Sequence, residues 1–360
     1  MHIMLVISSL SAGGAQRVIS EMANYWQAHG NTITMLTLDS DQSDYFPLNR
    51  CIQRITIGFR YKSGYLWNAL WNNIKRIVLL RSAFKRSAPN VIISFIDTTN
   101  VLTIVAGMGL QIPIIVSERT DPRHHDIGVI WKRLRRMVYP KATAVVVQTP
   151  GVYDWLRNEM PYVNAINIPN PARSASKKQT NGFVFPEGNS VVAVGRLSRE
   201  KGFDLAIKAF SQCAADFPRW NLIIFGEGDE RIPLESLVAK HELSHRILLP
   251  GLIKEPMQSL PYADIFVLSS HFEGFPNALV EAMSCGLAVI ATDCQSGPSE
   301  LIRHSIDGIL VPMDDVAALA NALRDLMAHP EKREILALRA KEVVDRFSVE
   351  RIMGMWEALL

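Results

Sequence analysis

Twice along these 360 residues, short apolar runs alternate with stretches of helical periodicity, and the second round starts afresh after Pro169-Asn170-Pro171. That alternation leaves few folds open. A strand, a helix and a further strand close most simply as a parallel pair with a crossover helix. In the first round Ile3–Ile7, Thr32–Leu38, Val91–Phe95, Ile112–Ser117 and Ala144–Gln148 read as strands, and Ala15–His29 as a helix closed by Gly30. In the second, Ser190–Val194, Asn221–Phe225, Ile247–Leu249, Asp264–Leu268, Ala288–Ala291 and Gly308–Val311 read as strands. The polar, Pro/Gly-punctuated stretch Ala172–Gly188 marks the boundary between the two rounds. Ser348–Leu360 reads as a last helix capped by Ser348. The expectation is two similar α/β domains, residues 1–170 and 171–347, facing each other with a cleft at their strand ends, where such sheets bind ligands.

Charge separates the halves. Residues 1–170 carry 18 Lys and Arg against 10 Asp and Glu, a net +8; residues 171–360 carry 20 against 25, a net −5. Different partners are expected for each half. Cys51, Cys213, Cys285 and Cys294 form no C-x-x-C pair and lack metal-ligand spacing, which points to reduced thiols in a cytoplasmic setting. Met1–Ser8 has no basic n-region or cleavage site, so no secretory signal is read there. The longest apolar stretch, Val101–Val116, is interrupted by Gly107, Gly109, Gln111 and Pro113 and is too short to span a bilayer. His124-His125 has no third ligand close in sequence, and neither a Walker A loop nor G-x-S-x-G occurs.

The chemistry-bearing segments fall at predicted strand ends. In His271–Met283, Glu273 precedes a Gly274-Phe275-Pro276-Asn277 break, and Glu281 lies eight positions on. Pro276 suits the first turn of a helix and Gly286 its end, so a helix over about Pro276–Cys285 is expected. Its start offers free N–H groups and a partial positive charge for an anion. A carboxylate on either side suits a ligand with a central phosphate and hydroxyl-bearing ends, as in a nucleotide sugar. Gly195-Arg196-Leu197-Ser198-Arg199-Glu200-Lys201-Gly202 opens the second round, with Arg196 and Lys201 placed to hold a diphosphate. A solvated charge cluster around a turn is the alternative, and it suits Arg199 and Glu200. Gly13-Gly14 follows the first strand and opens the first helix; it is either a phosphate approach or a plain tight turn. Gly226 and Gly228 end another strand, and Ser296–Ile302 a further one, with simple connections as the rival reading.

Glu118 and Arg119 end the Ile112–Ser117 strand, better placed for a ligand than for a core, or else forming a loop salt bridge. In Ile130–Tyr139, Ile130, Trp131, Leu134, Met137 and Val138 share one helical face, and Lys132, Arg133, Arg135 and Arg136 the other. A helix over about Leu66–Arg86 repeats the theme: a stripe of Trp67, Leu70, Trp71, Ile74, Ile77 and Val78 beside Lys75, Arg76, Arg81, Lys85 and Arg86. Cationic faces of this density can hold a pyrophosphate or lie on anionic lipid, and otherwise they are solvated faces over packed stripes.

Together these segments resemble glycosyltransferase family 4, retaining enzymes of the GT-B fold, over nearly the whole chain. The most specific part is Glu-x7-Glu, here Glu273 and Glu281, followed by Gly195–Gly202. Ser94–Asn100 and Ser117-Glu118-Arg119 are similar to enzymes that extend undecaprenyl-diphosphate-linked oligosaccharides, N-acetylgalactosaminyltransferases among them. The resemblance implies two facing Rossmann-like domains, with the final helix, residues 348–360, crossing back onto the first. It implies that Arg196 and Lys201 bind the donor diphosphate, that Glu281 contacts the ribose and Glu273 the donor sugar. The N–H groups after Gly274 would hold sugar and phosphate oxygens, with Phe275, Pro276 and Asn277 lining the donor and Gly226 beside them. Gly13 and Gly14 would close over the distal phosphate. Glu118 and Arg119 stand where many members carry a His, and Lys132, Arg133, Arg135 and Arg136 are candidates for the acceptor pyrophosphate.

The expected reaction is transfer of a hexose or N-acetylhexosamine from a UDP-sugar, without cofactor or metal, to a polyprenyl-diphosphate-linked saccharide at the inner face of the cytoplasmic membrane. Rivals are a transferase on a soluble acceptor and a UDP-sugar epimerase, which needs no basic acceptor helix. A nucleic-acid-binding protein leaves the strand-end loops without a role, and no nucleic-acid partner is expected.

Overall fold

The computed structural model describes residues 1–39, 44–58, 66–175, 183–253 and 255–360. The chain divides into two compact units, one of Met1–Asn170 with Ile352–Leu360 and one of Pro171–Arg351. Residues 176–182 of the expected boundary stretch lie outside the described residues.

Unit 1 holds a seven-stranded sheet of β1 (His2–Ile7), β2 (Thr32–Thr37), β3 (Gln53–Thr56), β4 (Val91–Phe95), β5 (Ile114–Ser117), β6 (Ala144–Val147) and β7 (Ala165–Asn167). All neighbours pair in parallel, in the order β3-β2-β1-β4-β5-β6-β7. β1 is apolar at every position from Ile3 to Ile7 because helices cover both faces; all five side chains are fully buried. The helices used below are α1 (Gly14–Ala28), α2 (Leu66–Ser87), α3 (Asp97–Gly107) and α4 (Val129–Val138). α2 and α4 both pack beside α3.

Unit 2 repeats the design with six strands: β8 (Asn189–Val194), β9 (Trp220–Phe225), β10 (Ile247–Gly251), β11 (Ile265–Leu268), β12 (Ala288–Thr292) and β13 (Ile309–Val311), ordered β10-β9-β8-β11-β12-β13. Two apolar clusters, one on each side of this sheet, use alternate residues of the same strands: Val191 and Ala193 face one, Val192 the other. Each buried aliphatic side chain contributes roughly 1.5–3 kcal/mol. In both units the strand order reverses once, between β1 and β4 and between β8 and β11. Ligands of open α/β sheets sit beyond the carboxyl ends of strands at such a reversal.

Two strands escape the sequence reading. β3 is short and begins Gln-Arg, so it lacks an apolar run. β7 has only three residues, just before Pro169. At the chain's end Ser348 Oγ accepts from the Arg351 N–H at 3.3 Å, capping the helix Val349–Glu357. The fully buried Trp356 on that helix lies 6.1 Å from Phe95, ring centre to ring centre.

Candidate functional site

At the reversal of the second sheet, the loops after β8 and β11 are locked together. Gly202 has φ 56°, and a Cβ there would lie 2.2 Å from the Ser269 carbonyl oxygen, so no other residue fits without displacing the β11 loop. The His271 N–H donates to the Glu200 carbonyl at 2.9 Å, and Ser269 Oγ to the Lys201 carbonyl at 3.0 Å. This clamp brings Lys201 Nζ to 2.7 Å from Glu273 Oε1, and Ser270 Oγ donates to the same oxygen at 2.7 Å. Ser296 Oγ, from the loop after β12, holds the Glu273 backbone carbonyl at 2.8 Å. Glu273 is buried and Lys201 half-buried, while Arg196 at the same strand end is exposed. Removing either partner of so buried a pair leaves an uncompensated charge, a cost of about 3–5 kcal/mol. The arrangement therefore presents one fixed cation, one free-standing cation and one anchored carboxylate at one strand edge.

The helix after Glu273 spans Asn277–Ser284 with Pro276 at its N-cap. Glu281 is buried on it. The Phe275 side chain belongs to the apolar core, with its ring 6.1 Å from Phe347. Its side chain is thus occupied by packing; the backbone N–H groups of Gly274 and Phe275 make no hydrogen bond to another described residue, whereas that of Asn277 donates to the Phe275 carbonyl at 2.9 Å. Gly226 has φ 154°, and a Cβ there would meet the Gly195 carbonyl oxygen at 1.8 Å. Packing between the β8 and β9 loops thus accounts for that glycine without a ligand. A cavity of about 350 Å³ in this unit is lined by Ser198, Arg199, Glu230 and His271 among others, and by none of Arg196, Lys201, Glu273 or Glu281. The convergent charges of the strand edge lie outside it.

In unit 1 the strand ends use their charges inwardly. Gly13 is extended, at φ 172°, and Gly14 opens α1 directly after the β1 loop. Glu118 is only 2% exposed; its Oε1 accepts from the Tyr139 hydroxyl at 2.5 Å and lies 3.6 Å from Arg135 Nη1. Burial pushes the Glu118 carboxyl up to about 7, with Arg135 opposing and Asp97 reinforcing the shift. Arg119 stacks on Phe95 at 3.6 Å, lies 5.8 Å from the Trp356 ring and donates to Asn170 Oδ1 at 2.6 Å. Expected as acceptor contacts, Glu118 and Arg119 are each held by residues of the unit itself, while Glu118 Oε2 and Arg119 Nε and Nη2 are buried without a hydrogen-bond partner among the described residues. Arg135 is likewise corrected: it is 5% exposed, against Glu118 and 5.4 Å from the Trp155 ring. The packed face of α4 is Trp131, Leu134, Arg135 and Val138; Ile130 and Met137, expected inside, are exposed beside Lys132, Arg133 and Arg136. The expected and observed faces share Trp131, Leu134 and Val138; Glu118, held by Tyr139, draws Arg135 inside in place of Ile130 and Met137. Lys132 pairs with Asp126 at 2.9 Å and Arg136 with Glu159.

The α2 stripe is corrected in the same sense. Leu80, Ala83 and Phe84 are buried, whereas Trp71 (59% exposed), Ile74 and Val78 form an outward row beside Lys75. The side chains of Trp67 and Leu70 lie outside the described ones.

A further pair escaped the sequence reading. His125 Nδ1 lies 2.8 Å from Asp97 Oδ2, where β4 ends. The Asp97 hydrogen bond raises the His125 pKa against the opposing effect of burial. The preceding residue, Ile96, has φ 77°, a strained value for a β-branched side chain. Its N–H donates to the Ser117 carbonyl, and its carbonyl accepts from the Asn100 N–H. An acidic residue directly after an apolar strand was the available signal; His125, 28 residues away, carried none.

Two parallel sheets, each with one strand-order reversal, define a two-domain α/β protein of the GT-B type. The chain matches the Glycosyltransferase Family 4 profile over residues 12–171 and the Glycosyl transferases group 1 profile over residues 175–343. It belongs to these glycosyltransferases. A Campylobacter jejuni GalNAc-alpha-(1->4)-GalNAc-alpha-(1->3)-diNAcBac-PP-undecaprenol alpha-1,4-N-acetyl-D-galactosaminyltransferase is 27% identical, covering 100% of this chain and 98% of its own. The amylovoran biosynthesis glycosyltransferase AmsD of Erwinia amylovora is 24% identical, covering 99% of each. Sucrose-phosphate synthase from Thermosynechococcus elongatus has the same fold, with a TM-score of 0.83 at 20% identity over 100% of this chain and 98% of that one. TarM of S. aureus, solved with UDP, gives 0.82 at 13% identity over 99% of each. No described helix is long and apolar enough to cross a membrane.

Proposed function

We propose that this glycosyltransferase moves a hexose or N-acetylhexosamine from a UDP-sugar to a polyprenyl-diphosphate-linked saccharide, with retention at the anomeric carbon. The observation that carries the reading is the fixed Lys201–Glu273 pair beside exposed Arg196 at the β8–β11 reversal. Arg196 and Lys201 offer a departing diphosphate two cations without a metal. Glu273, held by Lys201 and Ser270, is a positioning group for the donor sugar rather than a free base. Glu281 is assigned to the ribose hydroxyls, and the Gly274 and Phe275 N–H groups to sugar or phosphate oxygens. The leaving diphosphate takes the acceptor's proton on the face it departs from, so catalysis is charge stabilisation and orientation. The full-length relative's undecaprenol-linked acceptor supports a lipid-linked substrate here. So do the outward apolar rows of α2 and α4 beside Lys75, Arg133 and Arg136, a composition suited to the anionic inner face of the cytoplasmic membrane.

The test is a panel of radiolabelled nucleotide sugars with a polyprenyl-diphosphate-linked acceptor in EDTA. Label passing from one UDP-sugar into the lipid fraction is the expected result. Epimerisation of the UDP-sugar without acceptor, or transfer only to soluble saccharides, would replace this reading.

A further inference from the structure

The loop after β12 presses on the Glu273 segment at two points. Ser296 Oγ holds the Glu273 carbonyl, and a Cβ on the next residue, Gly297, would meet Pro276 Cδ at 2.7 Å and lie 3.5 Å from Glu273 Cβ. Gly297 also has φ 98°, so both its space and its backbone call for glycine. The turn runs directly into the short helix Pro298–Leu301. The last carbonyls of a helix have no partner within it. Here they are taken by an arginine much further along the chain: Arg346 Nη1 donates to the Leu301 carbonyl at 2.8 Å, and Nη2 to the Glu300 carbonyl at 3.1 Å.

Arg346 is itself fixed. Its Nη1 lies 3.3 Å from Asp307 Oδ2, and Asp307 is fully buried. Arg303 completes that carboxylate's shell: its N–H donates to Oδ1 at 2.7 Å and its Nε to Oδ2 at 2.6 Å. The residue after Arg346, Phe347, sets its ring 6.1 Å from that of Phe275, and its carbonyl accepts from the Ala172 N–H at 2.7 Å. Two consecutive residues thus grip both the segment after Glu273 and the helix after Ser296. A guanidinium suits this place, because its planar fork serves two carbonyls and a carboxylate at once, where an ammonium is a point charge. We propose that Arg346, seated on the buried Asp307, is a positioning residue for Glu273: it fixes segment 296–301, and that segment fixes where the carboxylate stands. The consequence for sugar binding rests on the donor reading of Glu273; the mechanical link does not.

Amide hydrogen exchange and calorimetric affinity for UDP, UDP-N-acetylgalactosamine and UDP-glucose test it on the wild type, Arg346→Gln and Arg346→Lys. Arg346→Lys keeps a charge opposite Asp307 and remains measurable should Arg346→Gln fold poorly. Leu326→Ala, a fully buried change in the other apolar cluster of unit 2, controls for lost stability alone. In both Arg346 variants, exchange in residues 270–277 should quicken relative to that in β12. Affinity for the UDP-sugar should weaken about fivefold to tenfold relative to UDP, with a matching rise in its KM. Leu326→Ala should melt earlier with the UDP-sugar to UDP ratio unmoved. Exchange in residues 270–277 that stays at the wild-type rate, equal weakening of UDP and UDP-sugar, or the same change of ratio in Leu326→Ala overturns the assignment and leaves the donor reading intact. Quickened exchange in residues 270–277, in a chain whose wild type binds no UDP-sugar, upholds the positioning of Glu273 and sinks the donor reading instead.

Discussion

The two sheets share one plan, yet their reversal points treat charge in opposite ways. At β8–β11 the charged side chains face outward or pair at the rim: Arg196 is exposed, and Lys201 meets Glu273 at the loop clamp. At β1–β4 and the neighbouring β5 end, Glu118, Arg119 and Arg135 turn inward onto Tyr139, Phe95, Trp356 and Asn170. A diphosphate needs cations at the rim, and Arg196 is one that the second reversal leaves exposed.

The comparison breaks most decisively at Arg196. Arg196→Ala removes an exposed side chain that makes no hydrogen bond or ion pair among the described residues, so folding stays intact while turnover falls ~10²–10³-fold, by analogy with the loss of a transition-state donor. Transfer kinetics beside a thermal melt check both halves of that statement. Near-full turnover would take Arg196 out of the donor site. Lys201→Ala is the poorer probe, since it also strands the Glu273 carboxylate.

Glu118 tests the inward side. Its pKa in the fold is about 7, against an ordinary 4.5, so between these values the folded chain holds a proton that the unfolded chain has lost. Stability from this group is therefore full below about pH 4.5 and declines as pH rises to about 7, by roughly 3 kcal/mol. Glu118→Gln keeps an oxygen for the Tyr139 hydroxyl and cannot ionise. Relative to the wild type, the variant should gain stability across that window, seen in chemical unfolding at pH 5 and pH 8. Parallel curves for the two proteins would mean that Glu118 is not held neutral, and would return it to the list of ligand-facing charges.

Much of this frame was legible beforehand because a strand covered on both faces announces itself as an unbroken apolar run. The strand ends then marked Arg196, Lys201 and Glu273. What stayed hidden is pairing across distance. Arg135 reads as one more cation on a basic helix until Glu118, seventeen positions earlier, and Tyr139 are brought beneath it. The same holds for Asp97 with His125. Helical periodicity gave α4 one arc, through Ile130 and Met137; the arc that is buried instead depends on a carboxyl elsewhere in the chain, Glu118 against Arg135.

That choice of arc leads to the smallest expected effect. With Arg135 inside, α4 presents Arg133 outward between Ile130 and Met137, and α2 presents Lys75 beside Trp71 and Val78. A cation near an anionic bilayer contributes about 1 kcal/mol, roughly a fivefold change in partitioning. Arg133→Gln should therefore weaken binding to phosphatidylglycerol-containing vesicles by about that factor in flotation, and raised salt should erase the difference. Arg135→Gln, conserving no buried charge, should lower stability while its partitioning per folded molecule stays at the wild-type value. Equal loss of vesicle binding in both variants would mean that both cations reach the bilayer, and that the basic helix works as the single cationic face its sequence suggests.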